Sequence, residues 1–109
     1  QTSDALVSQI DYIRSFASML CARMPQGTAP DSEDCMSTLL GKDTKNRKYV
    51  LELASNHVLS VRTKQWKYIE PSNGPKMIQW GPKVETGNNP MPQLFDISAS
   101  EWESNNLSD

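Results

Sequence analysis

The stretch YVLELASNHVLSVRTKQWKYI, residues 49–69, decides the fold of this chain because its apolar side chains recur at alternate positions. Successive side chains of a β-strand point to opposite faces of a sheet, so an alternating pattern predicts strands that are half buried. The connections between the apolar segments are short, which favours antiparallel hairpins. The pattern predicts three strands in a meander, at 49–53, 58–62 and 66–69.

The third of these strands has two different faces. Trp66 and Tyr68 lie on one face, and Lys67 and Ile69 lie on the other. We expect Trp66 and Tyr68 to pack in the core or against neighbours on their own face. Residues 93–97 are predicted to form a fourth and last strand of the sheet.

The segment 71–92 differs from its surroundings because proline and glycine interrupt it repeatedly. So long an irregular segment is uncommon in a compact domain, and it usually indicates a functional loop or an unrecognised hairpin. Residues 77–80 could form a short strand within it. After the fourth strand, Ser98 is expected to cap a short helical turn that extends to Glu103.

Two helices are predicted before the first strand. Residues 3–21 form an amphipathic pattern that Ser3 can cap and that should end before Pro25. A second, shorter helix is expected to begin near Asp31 and to stop at Gly41. The first helix has a stripe of apolar residues at spacings of three and four: Leu6, Ile10, Ile13, Phe16 and Leu20.

The composition of the 109 residues excludes several classes of protein. Apolar residues make up 37% and charged residues 22%, as in ordinary globular proteins, and the net charge is −2. Nucleic-acid binders usually have a basic excess, so we expect no nucleic-acid partner. No apolar stretch approaches the ~20 residues that cross a bilayer, so we expect no membrane partner. The abrupt start at Gln1, inside a predicted helix, suggests a truncated or processed chain.

Several phrases, in order along the chain, match one known pattern: Ala5–Asp11, Pro30–Asp34 with Leu39–Lys42, Val61–Ile69, and Gln93–Ile97 with Glu103 and Asn105–Leu107. They resemble the C-terminal end of the sulfatase (arylsulfatase) family. They cover nearly the whole chain, and together they are more specific than any one of them. The closing phrase departs from the family's pattern at 99–102, where the family often has Asp-Pro and Gly.

This resemblance implies an α+β fold, a four-stranded antiparallel sheet with helices packed on one face. It also implies that residues 1–109 form one domain. In this domain, 1–24 resembles the last helix of the sulfatase large domain, and 25–109 resembles the C-terminal subdomain. The large N-terminal domain of the same parent chain would be the partner. Separated from that domain, the helix 3–21 would fold onto the sheet or mediate self-association, because a bare apolar stripe is a liability. The parent would be exported, to the periplasm, the lysosome or outside the cell.

The resemblance also implies the chemistry of the parent, which would hydrolyse sulfate esters with formylglycine and calcium. Formylglycine is made from the first residue of a C/S-x-P-x-R motif, and neither Cys21 nor Cys35 begins one. Asp31 and Asp34 are close in sequence, but helix capping explains them better than calcium binding. We therefore expect no catalytic residue and no cofactor in this chain. The two cysteines could form a disulfide in an oxidising compartment, although free thiols are favoured.

Three residues are candidates for contact with a substrate. His57 lies at the turn between two predicted strands, where binding residues often occur. Trp80 lies in the irregular segment with Lys76 nearby, and an aromatic face beside a cation suits a sulfated sugar or an aromatic ester. The simpler interpretations are that His57 is an exposed turn residue and that Trp80 anchors the loop on the sheet. The chain is therefore predicted to complete the fold and one side of a sulfatase's substrate cleft, and the alternative is a non-catalytic glycan-binding or interaction module.

Overall fold

The structure of the chain is a computed structural model that describes residues 3–44, 47–54, 56–98 and 103–108. It contains two compact units, Gln1–Lys48 and Tyr49–Asp109. The fold is α+β, as predicted, because the first unit contains two helices and the second a four-stranded antiparallel sheet. The packing of the helices on one face of the sheet, and the division of the chain at residue 24, stay predictions.

The first helix, α1, spans Asp11–Met19 and is shorter than the 3–21 that the sequence predicts. The prediction fails at the start of the helix because a distant residue and a side chain of the helix itself bind the backbone groups there. The carbonyl of Leu6 accepts a hydrogen bond from the N–H of Arg47, at 3.1 Å. The N–H of Ser8 donates to the carboxylate of Asp11, at 2.9 Å. Ser3 does not cap a helix; its hydroxyl accepts from the N–H of Ala5.

The end of α1 is a Schellman motif. Cys21 has a φ of 51°, in the left-handed region that a non-glycine residue seldom adopts. The N–H groups of Cys21 and Ala22 donate to the carbonyls of Ser18 and Ala17, which lack partners inside the helix. The helix therefore ends well before Pro25.

The second helix, α2, spans Met36–Leu39 rather than beginning near Asp31. Side chains of α1 bind backbone N–H groups in the segment that precedes α2. Asp11 accepts from the N–H of Glu33 at 2.8 Å, and Ser15 accepts from the N–H of Cys35 at 2.9 Å. The predicted stop at Gly41 is confirmed. Gly41 has a φ of 68°, and its N–H donates to the carbonyl of Thr38.

A buried ion pair holds the first unit together. The side chain of Asp11 is 1% exposed, and Arg47 donates two hydrogen bonds to its carboxylate, at 2.7 Å from Nε and 2.5 Å from Nη2. Burial alone would raise the pKa of Asp11. The hydrogen bonds from Arg47 and from the N–H groups of Glu33 and Ser8 outweigh it and lower this pKa from 3.8 to about 2.

Ser15 is also fully buried and joins α1 to the segment before α2. Its hydroxyl donates to the carbonyl of Asp11 at 2.7 Å and lies 3.2 Å from the sulfur of Cys35. Cys35 is buried and Cys21 is exposed, and both are free thiols.

The sheet of the second unit has the order β1-β2-β3-β4, with every neighbouring pair antiparallel. The four predicted strands are all present, with ends shifted by one residue at most. Their bounds are β1 Val50–Leu53, β2 Leu59–Arg62, β3 Trp66–Ile69 and β4 Gln93–Asp96.

The core of the sheet lies on the face of Lys67 and Ile69, opposite to Trp66 and Tyr68. Val58, Ile69 and Phe95 are buried there, with Ile97 packed against them. Trp66 and Tyr68 each stay 39% exposed, so they do not lie in the core, and their packing against neighbours on their own face stays a prediction. Lys67 shares the core face, where its amine lies 2.7 Å from the carboxylate of Glu103.

The irregular segment 71–92 contains a small hairpin instead of a strand at 77–80. Met77 and Glu85 form an antiparallel bridge, and two backbone hydrogen bonds flank it, from Ile78 to Val84 and from Thr86 to Lys76. We refer to residues 76–86 as the tip hairpin. The helical turn predicted after Ser98 involves residues 99–102, which lie outside the described residues. In the described segments, no helix has the length and apolar content needed to cross a membrane.

Candidate functional site

The turn between β1 and β2 contains His57, the first of the predicted contact residues. Its side chain is exposed and its φ is 67°, in the left-handed region. The N–H of His57 donates to the carbonyl of Ala54, at 2.9 Å, which closes the turn. A non-glycine residue in this conformation is uncommon, and such residues are concentrated at functional sites.

Asn88 joins this turn to the irregular segment. It is only 8% exposed, and its side-chain oxygen accepts from Asn56 at 2.9 Å and from Ser72 at 3.1 Å. Its side-chain nitrogen donates to the carbonyl of Pro75 at 3.0 Å. Because one buried amide uses both its oxygen and its nitrogen, Asn88 fixes the base of the tip hairpin relative to the β1–β2 turn.

Gly74 shows how closely the chain approaches this amide. A Cβ atom at position 74 would lie 2.6 Å from the side-chain nitrogen of Asn88, and the φ of Gly74 is 150°. Any other residue would therefore displace Asn88 from its partners. The network of Asn56, Ser72, Gly74 and Asn88 makes the shape of the loop specific.

Trp80 lies near the turn of the tip hairpin and is 78% exposed. It lines a cleft of about 300 Å³, which we call the Trp80 cleft. No residue with a formal charge lines it among those that the structure describes. The lining residues are Asn56, Pro75, Ile78, Gln79, Trp80, Thr86 and Asn88.

Lys76 lines a different cleft, of about 350 Å³, with Met77 and Glu85. The two clefts meet at Asn88, which lines both. The structure therefore does not bring Lys76 and Trp80 to one site, as their proximity in sequence suggested. His57 lines neither cleft, but it follows Asn56, which lines the Trp80 cleft.

Asn56 and Asn88 were not predicted from the sequence as members of this site. Both lie in turn segments where asparagine is common, so their residue type alone gave no signal. The only available hint was the Gly-Asn-Asn-Pro run at 87–90, which predicts a turn but no partner.

The described part of the chain has no group of three or more His, Cys, Asp or Glu side chains that could hold a metal ion. Asp11 and Arg47 both have shifted pKa values, and each is the other's partner. Their cluster is filled by hydrogen bonds from the chain itself, so we interpret it as structural.

Comparison with known proteins gives the class first: the chain is similar to sulfatases over nearly its whole length, in sequence and in structure. N-acetylgalactosamine-6-O-sulfatase of Bacteroides thetaiotaomicron is 46% identical over 103 residues, which cover 94% of this chain and 20% of the relative. A solved sulfatase structure, described under the metabolism of multiple glycosaminoglycans by Bacteroides thetaiotaomicron, has a TM-score of 0.86 at 45% identity. The match covers 94% of this chain and 21% of the chain in the solved structure.

These similarities confirm the resemblance to sulfatases and the α+β fold that the sequence predicts. No protein-family model matches the chain. The chain spans about a fifth of the length of the relatives it matches.

Proposed function

We propose that this chain is the C-terminal portion of a sulfatase, an enzyme that hydrolyses sulfate esters. In this proposal the chain completes the fold and forms one side of the substrate cleft, and the rest of the parent supplies the reacting groups. The observation that supports it is the 46% identity with a sulfatase across 94% of the chain. A similarity of that extent includes every strand of the sheet and both helices.

The proposed substrate is a sulfated sugar, with His57, Trp80 and Lys76 as the residues that contact it. The relative with 46% identity is named for a sulfate at O6 of N-acetylgalactosamine. An exposed indole suits the apolar face of a sugar ring, and the ammonium group of Lys76 suits a sulfate. Since Trp80 and Lys76 line different clefts, they would contact different sugar units of the substrate, and the sulfate at Lys76 would not belong to the ring on Trp80.

The proposed parent uses calcium and formylglycine, and the residues described in this chain do not fit either. Neither cysteine begins a C/S-x-P-x-R motif. The described residues also provide no cluster of metal-binding side chains. We therefore assign both groups to the rest of the parent and derive no catalytic step from this chain.

The activity is tested on the full-length protein that the source gene encodes. We expect it to release sulfate from N-acetylgalactosamine 6-sulfate about ten-fold faster or more, in kcat/KM, than from the 4-sulfate isomer. A variant without the Cys or Ser of the C/S-x-P-x-R motif is the background control. If sulfate release equals that background for both isomers, the proposal is wrong.

A non-catalytic glycan-binding or interaction module is the second candidate, and the exposed Trp80 is the observation that favours it. Such a module could bind a glycan with the same cleft and without any sulfate release. If the sequence of the parent lacks a C/S-x-P-x-R motif, the non-catalytic module is the correct interpretation and the enzyme proposal is wrong.

We propose that α1 provides a surface for the large N-terminal domain and, in the isolated chain, for self-association. Ile10, Ile13, Phe16 and Leu20 keep between 49% and 71% of their surface exposed. Leu6, also expected in this stripe, precedes the helix and is half-buried.

Sedimentation equilibrium of the 109-residue chain is expected to show a reversible dimer or larger species. The change Phe16→Glu should shift the chain to monomer, because it places a charge in the contact. Ser18→Glu, at an exposed position outside the stripe, is the control and should leave the association unchanged. A wild-type chain that is monomeric at all concentrations would contradict self-association.

A further inference from the structure

The Trp80 cleft has the dimensions and the chemistry of a site for one small ring. Its volume of about 300 Å³ lies at the lower end of the range for small-molecule sites. Tryptophan is buried to a large extent in most proteins, yet Trp80 is 78% exposed beside this cleft. The indole therefore provides a flat apolar surface that the chain itself leaves uncovered.

The other lining residues combine apolar and neutral polar groups. Pro75 and Ile78 extend the apolar surface beside the indole, and Asn56, Gln79 and Thr86 add amide and hydroxyl groups. A pyranose ring has the same combination, since its C–H bonds form an apolar face and its hydroxyl groups form a polar edge. A sulfate group does not fit this lining, because no cation among the described residues lines the cleft.

The tip hairpin separates this neutral cleft from the charged one. Ile78 and Thr86 line the Trp80 cleft, and Met77 and Glu85 line the cleft that contains Lys76. Residues at adjacent positions of an extended pair point to opposite sides, which explains why Ile78 and Thr86 line one cleft and Met77 and Glu85 the other. Lys76 lines the second cleft although it lies opposite Thr86 in the hairpin, so this alternation does not explain its position. An anion would be attracted to the side of Lys76, and an uncharged ring to the side of Trp80.

We propose that the Trp80 cleft binds an uncharged sugar ring of a glycosaminoglycan, with the apolar face of the ring on the indole and the sulfate outside the cleft. The inference rests on the proposed function, because the sulfatase relatives supply the sugar as the ligand class. Trp80 is the contact residue. Asn88 is a positioning residue, since it fixes Pro75 and the base of the tip hairpin.

The test is a titration of the 109-residue chain with N-acetylgalactosamine and, separately, with its 6-sulfate, followed by NMR of the Trp indole N–H signals. We expect the Trp80 signal to shift with both sugars and the two Kd values to agree within about three-fold, with little dependence on salt, because no ion pair forms. Trp80→Ala should weaken both by about ten-fold or more, and Trp80→Phe by less. Both variants lack the Trp80 indole, so their Kd values are measured from the backbone amide signals of the tip hairpin. Trp66→Phe, at the exposed tryptophan of β3, is the matched control and should leave both Kd values unchanged.

Asn88→Asp tests the positioning role with little change in volume. A carboxylate cannot donate to the carbonyl of Pro75, so the tip hairpin should lose its fixed position and the Kd should rise while the sheet stays folded. Unchanged binding in this variant would remove the positioning role of Asn88.

Two results would overturn the sugar site: a Kd that Trp80→Ala leaves unchanged, or binding of the 6-sulfate alone with a strong dependence on salt. The second result would place the contact at a cationic site instead. Failure of the proposed function is distinguishable, because it appears as absent sulfate release by the full-length protein while sugar binding by this chain persists.

Discussion

Replacing Asp11 by alanine is expected to lower the free energy of unfolding of the first unit by about 3–5 kcal/mol, the usual cost of breaking a buried ion pair. The carboxylate accepts from two nitrogens of Arg47 and from the N–H groups of Ser8 and Glu33. The variant would leave a mostly buried guanidinium without its buried counter-ion and two backbone donors without an acceptor. Urea denaturation followed by the amide NMR signals of Ser8 and Glu33 measures the change.

Glu33→Gln is the matched control, because it removes another carboxylate that contacts the same arginine. Its side chain is 51% exposed and lies 3.6 Å from Arg47, so we expect a loss below about 1 kcal/mol. A double variant with Arg47→Met should recover only part of the loss, since the N–H groups of Ser8 and Glu33 stay unpaired. If Asp11→Ala costs no more than Glu33→Gln, the buried pair is not what stabilises this unit.

The same pair predicts how the stability of the first unit depends on pH. The pKa of Asp11 is lowered to about 2 in the folded chain, so its contribution is complete above the unfolded value of 3.8 and is lost as the pH falls through about 2. The contribution is about 2–3 kcal/mol by this linkage. In Asp11→Asn this part of the acid destabilisation should be absent, and the difference between variant and wild type isolates it from the other carboxylates.

The change Phe95→Ala is expected to destabilise the second unit by about 3–5 kcal/mol, because it removes the largest side chain of its small core. Phe95 is 6% exposed and packs with Val58 and Ile69. It lies in β4, opposite Lys67 of the neighbouring strand β3. Trp66, Trp80 and Trp102 all lie in residues 49–109, so tryptophan fluorescence in a denaturant titration follows this unit.

Leu51→Ala provides the comparison on the opposite face of the sheet. Leu51 is 66% exposed, so we expect a change within about 0.5 kcal/mol. Phe95→Leu should lie between the two and remains measurable if Phe95→Ala does not fold. Equal losses for Phe95→Ala and Leu51→Ala would mean that the core does not lie on the Phe95 face.

The candidate site shows what can be proposed from sequence and what needs the structure. Trp80 and His57 could be proposed as contact residues because an aromatic residue in an irregular segment and a histidine at a turn are visible in the sequence, and their role stays a prediction. Their relation to Lys76 could not, because the tip hairpin separates residues that are only four positions apart. The same limit applies to Asn88, whose partners Asn56, Ser72 and Pro75 are 13 to 32 positions away.

The sequence by itself determined the four strands, their antiparallel order, the stop at Gly41 and the resemblance to sulfatases. These features depend on local periods, turn residues and short phrases, which neighbouring residues specify without help from the rest of the chain. Only the tertiary structure decided where α1 begins and which face of the sheet is buried. Leu6 is kept out of the helix by Arg47, and Ile69 rather than Tyr68 is covered because Phe95 and Val58 lie on its face. In each case the deciding partner is distant in sequence, and the local pattern fits both outcomes equally well.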